Sequence, residues 1–189
     1  MLSPPELNAE LQHLCCGGDG VKLSITQQQQ DQEYMQQTLN ILDDIQPHEQ
    51  VEVPIAATIV HDKIGIIAQA KNSCIGQNDP SAHAEILALR QAGQSINNYR
   101  LNHCSIYVTL EPCPMCFYAI LYARIQRIIF ATKDHKHGIL SKQQYRDQHQ
   151  QHNHHFSWTG GTLAQPAQKK LQDFFKSRRQ DGQHPNSAH

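Results

Sequence analysis

The sequence predicts an α/β fold in which helices cover both faces of a central sheet, as a three-layer α/β/α sandwich. From about residue 55 to residue 131, short runs rich in β-branched and aliphatic residues alternate with helical patterns. Strands that alternate with helices form layered sheets of this kind. The chain has 189 residues, a length typical of one domain that buries roughly 70% of its unfolded surface.

Each element follows from local spacing and turn signals. A helix is predicted over residues 31–45, where the apolar residues recur at a helical period: Tyr34, Met35, Leu39, Leu42 and Ile45. Strands over 55–60 and 65–70 flank the polar turn His61-Asp62-Lys63, which predicts a hairpin. A helix over 82–91, a strand over 105–110, a helix over 114–123 and a strand over 127–131 follow. The last predicted helix, 166–179, is apolar at Leu171, Phe174 and Phe175.

The two ends of the chain are predicted to lie outside this domain. Residues 1–30 contain Pro4-Pro5, a Gly17-Gly18-Asp19-Gly20 turn signal and a glutamine tract, a composition typical of a poorly structured extension. Residues 181–189 are expected to form a flexible tail. The domain itself is therefore predicted to span residues 31–180.

Composition excludes several classes of protein. The formal net charge is −1, from 16 basic and 17 acidic residues, so any binding to nucleic acid must depend on local charge. The start of the chain has no basic and apolar leader, and no apolar run approaches the roughly 20 residues of a membrane span. We therefore expect a cytoplasmic protein that does not enter a membrane.

The cysteine and histidine contents need separate interpretation. The six cysteines are not spaced like a disulfide framework, and Cys104, within a predicted strand, is interpreted as a buried inert thiol. Several of the 13 histidines cluster among glutamines: His149, His152, His154 and His155. A solvated low-complexity loop explains this cluster better than a metal site does.

The strongest functional signal is His83-Ala84-Glu85 followed by Pro112-Cys113-Pro114-Met115-Cys116. His83, Cys113 and Cys116 are zinc-type ligands, and three protein ligands with a spare carboxylate are typical of a catalytic zinc that activates water. Asp79 as N-cap and Pro80 at the first helical position predict a helix start before His83. Cys113-Pro114 predicts another, so both ligand pairs are expected at helix N-termini, where the dipole stabilises thiolates.

Simpler interpretations exist for each half of this pattern. The C-x-x-C pair alone is compatible with chance or with a redox site. Glu85 alone is compatible with a first-turn glutamate that stabilises the helix dipole by about 0.3–1 kcal/mol. The occurrence of both halves at predicted helix starts favours the catalytic interpretation, with Glu85 as the proton carrier.

The helix predicted from Pro114 is apolar on nearly all sides. Its apolar residues are Met115, Phe117, Tyr118, Ile120, Leu121, Tyr122 and Ile125. A helix of this kind must be covered on more than one face. We expect a symmetric homodimer to provide the second cover.

The H-x-E and P-C-x-x-C pair resembles the signature of the zinc-dependent nucleobase deaminases, and the region 31–180 resembles one family among them, the bacterial tRNA-specific adenosine deaminases. The matching segments are Val53-Pro54, Asn72, 78–90, 98–101, 107–116, Lys133-Asp134-His135-Lys136 and 173–179. The Lys133-Asp134 segment and the phenylalanine pair followed by basic residues favour this family over cytidine, deoxycytidylate and guanine deaminases. The sequence departs from the family pattern at Ala56, Phe117-Tyr118 and Ile139-Leu140.

The resemblance implies a cytidine-deaminase-like fold with a mixed sheet of about five strands, and one Zn²⁺ per chain on His83, Cys113 and Cys116. It implies that Glu85 moves protons while the wobble adenosine of a tRNA, an arginine tRNA in this family, becomes inosine. The residues implied to contact the tRNA anticodon stem-loop are Asn72, Ala84, Asp134, Lys136, Phe174, Phe175, Arg178 and Arg179.

Two other functions remain open at this point. A deaminase of a free nucleobase or nucleotide, of the guanine or cytidine type, would use the same zinc chemistry and would not need the basic C-terminal helix. A non-catalytic RNA-binding zinc module would have a fourth protein ligand or would lack Glu85.

Overall fold

A computed structural model of the chain describes residues 25–43, 51–142 and 153–180. The helices are α1 (Ile25–Asn40), α2 (Cys74–Gln77), α3 (Ala84–Ser95), α4 (Pro114–Tyr122) and α5 (Ala164–Gln180). The strands are β1 (Ala56–His61), β2 (Gly65–Lys71), β3 (Cys104–Leu110), β4 (Arg127–Thr132) and β5 (Ser157–Gly160). From β2 to β4, helices lie between successive strands, as predicted.

The five strands form one mixed sheet in the order β2-β1-β3-β4-β5. Strand β1 pairs with β2 and with β3 in antiparallel fashion, whereas β3, β4 and β5 are parallel. Strand β2 consequently runs in the same direction as β3 and β4. The carboxyl ends of these strands and the start of β1 therefore lie on one edge of the sheet.

Two hydrophobic cores fill the two faces of the sheet. On one face, α3 and α4 pack against β1, β2 and β3 through Ala88, Ile106, Val108, Phe117 and Ile120. On the other face, α1 and α5 pack through Met35, Leu39, Tyr107, Ile129 and Ala167. The alternation of Ile106, Tyr107 and Val108 between the faces is the period of two that a strand imposes. This arrangement confirms the predicted three-layer sandwich.

Helix α1 is held to the second face by a buried polar contact. The Asp31 carboxylate accepts a hydrogen bond from the Tyr107 hydroxyl at 2.8 Å and two from the Arg127 guanidinium at 3.2 and 2.8 Å. Asp31 is 2% exposed, so these partners compensate the cost of burying its charge.

Several boundaries differ from the predicted ones. Helix α1 begins at Ile25, within the predicted extension, and ends at Asn40. Strand β5 and the short helix α2 were not predicted. Strand β5 is a short edge strand whose Trp158 stacks on Phe130, with ring centroids 5.7 Å apart. The prediction of Asp79 as N-cap was wrong: α3 begins at Ala84 with His83 as N-cap, because Asp79 instead accepts hydrogen bonds from Ser81 and forms a local turn.

The predictions for residues 1–24, for the tail 181–189 and for His149 and His152 lie outside the described residues. Within the described part, one histidine of the cluster, His154, has a backbone partner: its Nε2 lies 2.7 Å from the carbonyl oxygen of Ile125. None of the helices in the described ranges combines the length and the apolar character that crossing a membrane requires.

Candidate active site

The candidate site lies at the sheet edge where β2, β3 and β4 end. Parallel strands direct the residues that follow them to a common edge, which is the usual position of ligand sites in open α/β sheets. Asn72 follows β2, Cys113 follows β3, and Asp134 follows β4. The topology therefore collects segments that are distant in sequence.

Three side chains form a compact potential metal-binding group. The ligand atoms of His83, Cys113 and Cys116 all lie within 4.8 Å of one another. The His83 Nδ1 lies 3.8 Å from the Cys113 sulfur and 3.4 Å from the Cys116 sulfur. Tetrahedral zinc with bonds of about 2.0–2.3 Å separates its ligand atoms by roughly 3.6 Å, so the two distances from His83 are close to those that a zinc ion requires.

The local sequence explains how these ligands are held. His83 is the N-cap of α3, and Cys113 is the N-cap of α4 with Pro114 in the first turn. Pro114 suits the start of a helix because the missing N–H has no intrahelical acceptor there. The free N–H groups and positive dipole ends of the two helices converge on the ligands, which favours thiolate. The predicted placement of His83 and of the two cysteines at helix N-termini is confirmed.

The electrostatics of the group match metal binding. Hydrogen bonds from Cys116 and His83 lower the pKa of the Cys113 thiol to about 4. The hydrogen bond to Cys113 raises the pKa of Cys116, and burial raises it further. Cys113 is therefore the more acidic of the two thiols. The hydrogen bond with Cys113 also raises the pKa of His83, so metal binding displaces the protons that Cys116 and His83 hold.

Glu85 lies in the first turn of α3 and is 4% exposed. Burial, with a smaller contribution from Cys113, raises the pKa of Glu85 to about 7. A carboxyl group with this pKa can both accept and donate a proton near neutral pH. Because Glu85 is not a member of the His83, Cys113 and Cys116 group, its carboxyl group is available for proton transfer.

Asn72 lies beside this group and is held by Glu52. The Asn72 side-chain amide donates to the Glu52 carboxylate at 3.3 Å, and the N–H of Ser73 donates to the carbonyl of Ala82, next to His83, at 3.0 Å. Burial raises the pKa of the neighbouring Cys74 thiol, and the Glu52, Asp79 and Glu85 carboxylates add to this rise. Ala84, fully buried at the start of α3, completes this side of the site.

The loop after β4 carries Asp134 and Lys136 and is fixed by Glu111. The Glu111 carboxylate accepts hydrogen bonds from the N–H of Asp134 at 3.2 Å and from the N–H and hydroxyl of Ser141 at 2.7 and 3.0 Å. Gly138 leaves no room for a Cβ beside this carboxylate. Asp134 also accepts from the N–H of Lys136 at 2.9 Å, while the Lys136 side chain remains exposed.

The departures from the family pattern are buried in the core, except Tyr118, which is partly buried. Ile139 and Leu140 are 0% and 2% exposed and fix the loop after β4 to the hydrophobic core. Phe117 is fully buried and packs edge to face on Phe156 at 5.5 Å. Ala56 is fully buried, and its N–H donates to the Thr109 hydroxyl at 3.0 Å.

The predicted tRNA contacts on α5 have different surroundings. The Arg178 guanidinium lies 5.6 Å from the centre of the Phe174 ring and donates to the Val51 carbonyl at 3.1 Å. Arg179 and Phe175 are exposed. Phe174 and Phe175 contact each other edge to face at 5.2 Å. Among the residues that the structure describes, Arg178 therefore has structural contacts of a kind that Arg179 does not show.

Sequence reasoning missed two carboxylates at this edge. Glu52 and Glu111 are 8% and 2% exposed, and each precedes a proline-containing segment, Val53-Pro54 or Pro112-Cys113. An acidic residue next to an apolar segment or a motif is only a weak sequence signal for a buried carboxylate that supports a site. Their partners are Asn72 and Ser141, which local sequence does not indicate.

Comparisons with known proteins agree with the chemistry that this site suggests. Residues 29–179 match the family model of the MafB19-like deaminases. The tRNA-specific adenosine deaminase of Haemophilus influenzae is 43% identical over 130 residues, which cover 69% of this chain and 75% of that protein. The tRNA-specific adenosine deaminase of Aquifex aeolicus is 42% identical over 132 residues, covering 69% and 85%.

A solved structure from a study of A-to-I editing by tRNA:A34 deaminases at the wobble position of transfer RNA is also similar. It superposes with a TM-score of 0.67 at 32% identity, over 74% of this chain and 99% of that chain. These matches confirm the resemblance and the fold class predicted from the motifs.

Proposed function

We propose that this chain, which belongs to the MafB19-like deaminase family and to the tRNA-specific adenosine deaminases, hydrolyses the wobble adenosine of a tRNA anticodon to inosine. The observation that carries this proposal is the buried Glu85 carboxyl group beside a group of three possible metal ligands. One water molecule is consumed and one ammonia molecule leaves, so the reaction needs a group that moves protons.

Zinc is the metal that the donor set favours, because one imidazole and two thiolates are typical zinc ligands. We infer that His83, Cys113 and Cys116 hold one Zn²⁺ per chain. When bound, a zinc ion lowers the pKa of water from 15.7 to about 7 and so makes hydroxide available at neutral pH.

Glu85 performs the proton transfers in this proposal. Its carboxylate takes a proton from the attacking water and delivers it to N1 of the adenine ring as the C6–O bond forms. It then transfers the second proton to the exocyclic nitrogen, and the C6–N bond breaks as ammonia leaves. In the metal-free protein, burial raises the pKa of Glu85 to about 7, which favours proton exchange near neutral pH.

The anticodon loop is the proposed substrate because its bases are single-stranded and can be turned out of the stack at low cost. Asn72 and Ala84 lie next to the ligand group and are the proposed residues around the extruded base, with Ala84 itself fully buried at the start of α3. Asp134 and Lys136, on the loop fixed by Glu111, are proposed to contact the neighbouring nucleotides. Phe174, Phe175, Arg178 and Arg179 supply aromatic surface and positive charge at the end of α5.

A homodimer is proposed on the surface of α3 and α4. Helix α4 leaves Met115 and Tyr122 exposed, at 39% and 68%, although Cys116, Phe117 and Ile120 are buried. A groove of about 680 Å³ beside it has an apolar part, formed by Ile86, Leu89, Ala119 and Ala123, and a polar part that includes Arg90 and Gln94. A second copy related by a two-fold axis would cover this apolar surface.

The test compares substrates. We expect the zinc-loaded protein to convert adenosine to inosine in an anticodon stem-loop with adenosine at the wobble position, and to leave free adenosine, cytidine and guanine unchanged. Glu85→Gln is the catalytic control. Efficient deamination of a free base, with no turnover of the stem-loop, would contradict the proposal and support a free-nucleobase deaminase.

A further inference from the structure

The Glu52 carboxylate accepts hydrogen bonds from three residues on the side of the site where the substrate is proposed to bind. Its Oε1 accepts hydrogen bonds from the N–H groups of Ile75 and Gly76 at 2.6 and 2.8 Å. Its Oε2 accepts from the Asn72 side-chain amide at 3.3 Å. Glu52 is 8% exposed, so water competes little for these bonds. Neither metal binding by His83, Cys113 and Cys116 nor proton transfer by Glu85 requires a carboxylate at this position.

We propose that Glu52 is a positioning residue that fixes the orientation of the Asn72 amide for recognition of the target base, an inference that rests on the proposed function. An ionised carboxylate can only accept hydrogen bonds. The Asn72 nitrogen must therefore face Glu52, and the Asn72 oxygen must face away. The Cys74 thiol lies 3.8 Å from that oxygen, which agrees with this orientation because a thiol can donate to an oxygen.

The fixed orientation matters because an amide is not symmetric. With one N–H bonded to Glu52, Asn72 keeps a second N–H donor and its carbonyl acceptor. Adenine presents an N6 amino donor next to the N7 acceptor, an edge that an asparagine amide in a defined orientation complements. A reversed amide would place a donor against the amino group and lose this match.

The surrounding backbone keeps Glu52 and Asn72 in register. The N–H of Asn72 donates to the Ile55 carbonyl at 2.9 Å. On the other side, Arg178 holds the carbonyl of Val51, the residue before Glu52, at 3.1 Å. The two segments therefore have fixed positions at the sheet edge, and the carboxylate sets the remaining rotation of the amide.

This geometry makes Glu52→Gln a specific test. The glutamine oxygen is expected to retain the two shorter bonds from Ile75 and Gly76, which leaves its NH2 group facing Asn72. Two NH2 groups cannot bond to each other, so the Asn72 amide must turn. Glu52→Asp is the contrasting variant, because it changes the length of the side chain but still only accepts hydrogen bonds.

The experiment measures kcat and KM on the wobble-adenosine stem-loop, zinc content and Tm for five proteins: wild type, Glu52→Gln, Glu52→Asp, Asn72→Ala and the Glu52→Gln/Asn72→Ala double variant. We expect Glu52→Gln to lower kcat/KM about 10- to 100-fold with unchanged zinc content. Glu52→Asp should retain more activity than Glu52→Gln. In the Asn72→Ala background, Glu52→Gln should add less than about a threefold loss, since it acts through Asn72.

Asp31→Asn is the matched control, because Asp31 is a buried carboxylate on the opposite face of the sheet. It is expected to lower Tm and to combine additively with Asn72→Ala in kcat/KM. The proposal is overturned if Glu52→Gln is as active as wild type, if its loss persists in the Asn72→Ala background, or if Glu52→Asp is the less active of the two variants. Were wild type to act on a free base instead, the proposed function would fail, and the same set of variants assayed on that base would still decide the role of Glu52.

Discussion

The His83 imidazole lies 3.4 Å from the sulfur of Cys116, a residue 33 positions later in the chain. Each side chain is fixed in the first turn or cap of its own helix. The helices in turn pack on one face of the same sheet. The distance between the two ligand atoms is therefore set by the packing of the sheet, and binding of a metal ion requires little ordering of the chain.

Replacement of Cys116 by alanine should abolish stoichiometric zinc binding, because two protein ligands cannot complete the site. We expect purified Cys116→Ala to contain well under half an equivalent of zinc by elemental analysis and to have a lower Tm than wild type. Cys104→Ala is the matched control, since Cys104 is also buried but lies at the start of β3. A full equivalent of zinc in Cys116→Ala would disprove the assignment.

Replacement of Glu85 by glutamine should remove turnover and leave the metal in place. The variant keeps the three ligands and the volume of the side chain, but it loses the group that transfers protons. We expect kcat to fall by about 10²–10⁴-fold or more, because one residue serves both proton transfers. Inosine formation and zinc content are measured on the same preparation. Retention of more than a tenth of wild-type kcat would exclude the shuttle role.

Glu85 should also make the stability of the metal-free protein depend on pH. Burial raises its pKa from the usual 4.5 to about 7. Between these values the unfolded chain is ionised at this residue and the folded chain is protonated. Its contribution to stability is therefore complete below pH 4.5 and is lost as pH rises through 7.

Glu85→Gln removes this dependence, so its stability relative to wild type should rise by about 3 kcal/mol between pH 4.5 and 7. Urea unfolding of both chelator-treated proteins across this range measures the difference. A difference that stays constant with pH would show that Glu85 titrates normally.

Glu111→Gln should loosen the loop that carries Asp134 and Lys136. One of the two carboxylate oxygens becomes an NH2 group and can no longer accept from Asp134 and Ser141. We expect a loss of about 1–3 kcal/mol in the free energy of unfolding, weaker binding of the stem-loop and unchanged zinc content. Glu33→Gln, on the exposed side of α1, should change none of these. If Glu111→Gln bound the stem-loop as tightly as wild type, the loop would have no role in RNA binding.

The two arginines at the end of α5 should respond differently to replacement by alanine. Arg179 is exposed, so Arg179→Ala should reduce stem-loop affinity and leave Tm nearly unchanged. If Arg179 contacts one phosphate, the slope of log affinity against log salt should become shallower by about 0.7. Arg178→Ala should in addition lower Tm, because Arg178 holds Val51 and packs on Phe174. The affinities are measured at several salt concentrations. Parallel slopes for wild type and Arg179→Ala would show that Arg179 does not contact the RNA.

Some elements were predictable because their signals are local. The period of apolar residues in α1, the polar turn between β1 and β2, and Pro114 at the start of α4 each depend on neighbours within a few residues. Strand β5 has no such signal, since its four residues, Ser157–Gly160, are mostly polar or small. It forms because β4 offers a free edge and because Phe130 lies against Trp158 and the backbone at Gly160.

The sequence by itself determined the proposed chemistry of the site, because the types of candidate metal ligand, the neighbouring Glu85 carboxylate and the helix starts that hold them are short-range properties. Only the tertiary structure decided which distant residues support that chemistry. Glu52 and Asn72 are 20 residues apart, and Glu111 and Ser141 are 30 residues apart. These pairs meet because β2, β3 and β4 run in the same direction and end at one edge, and strand direction depends on pairing across the whole domain.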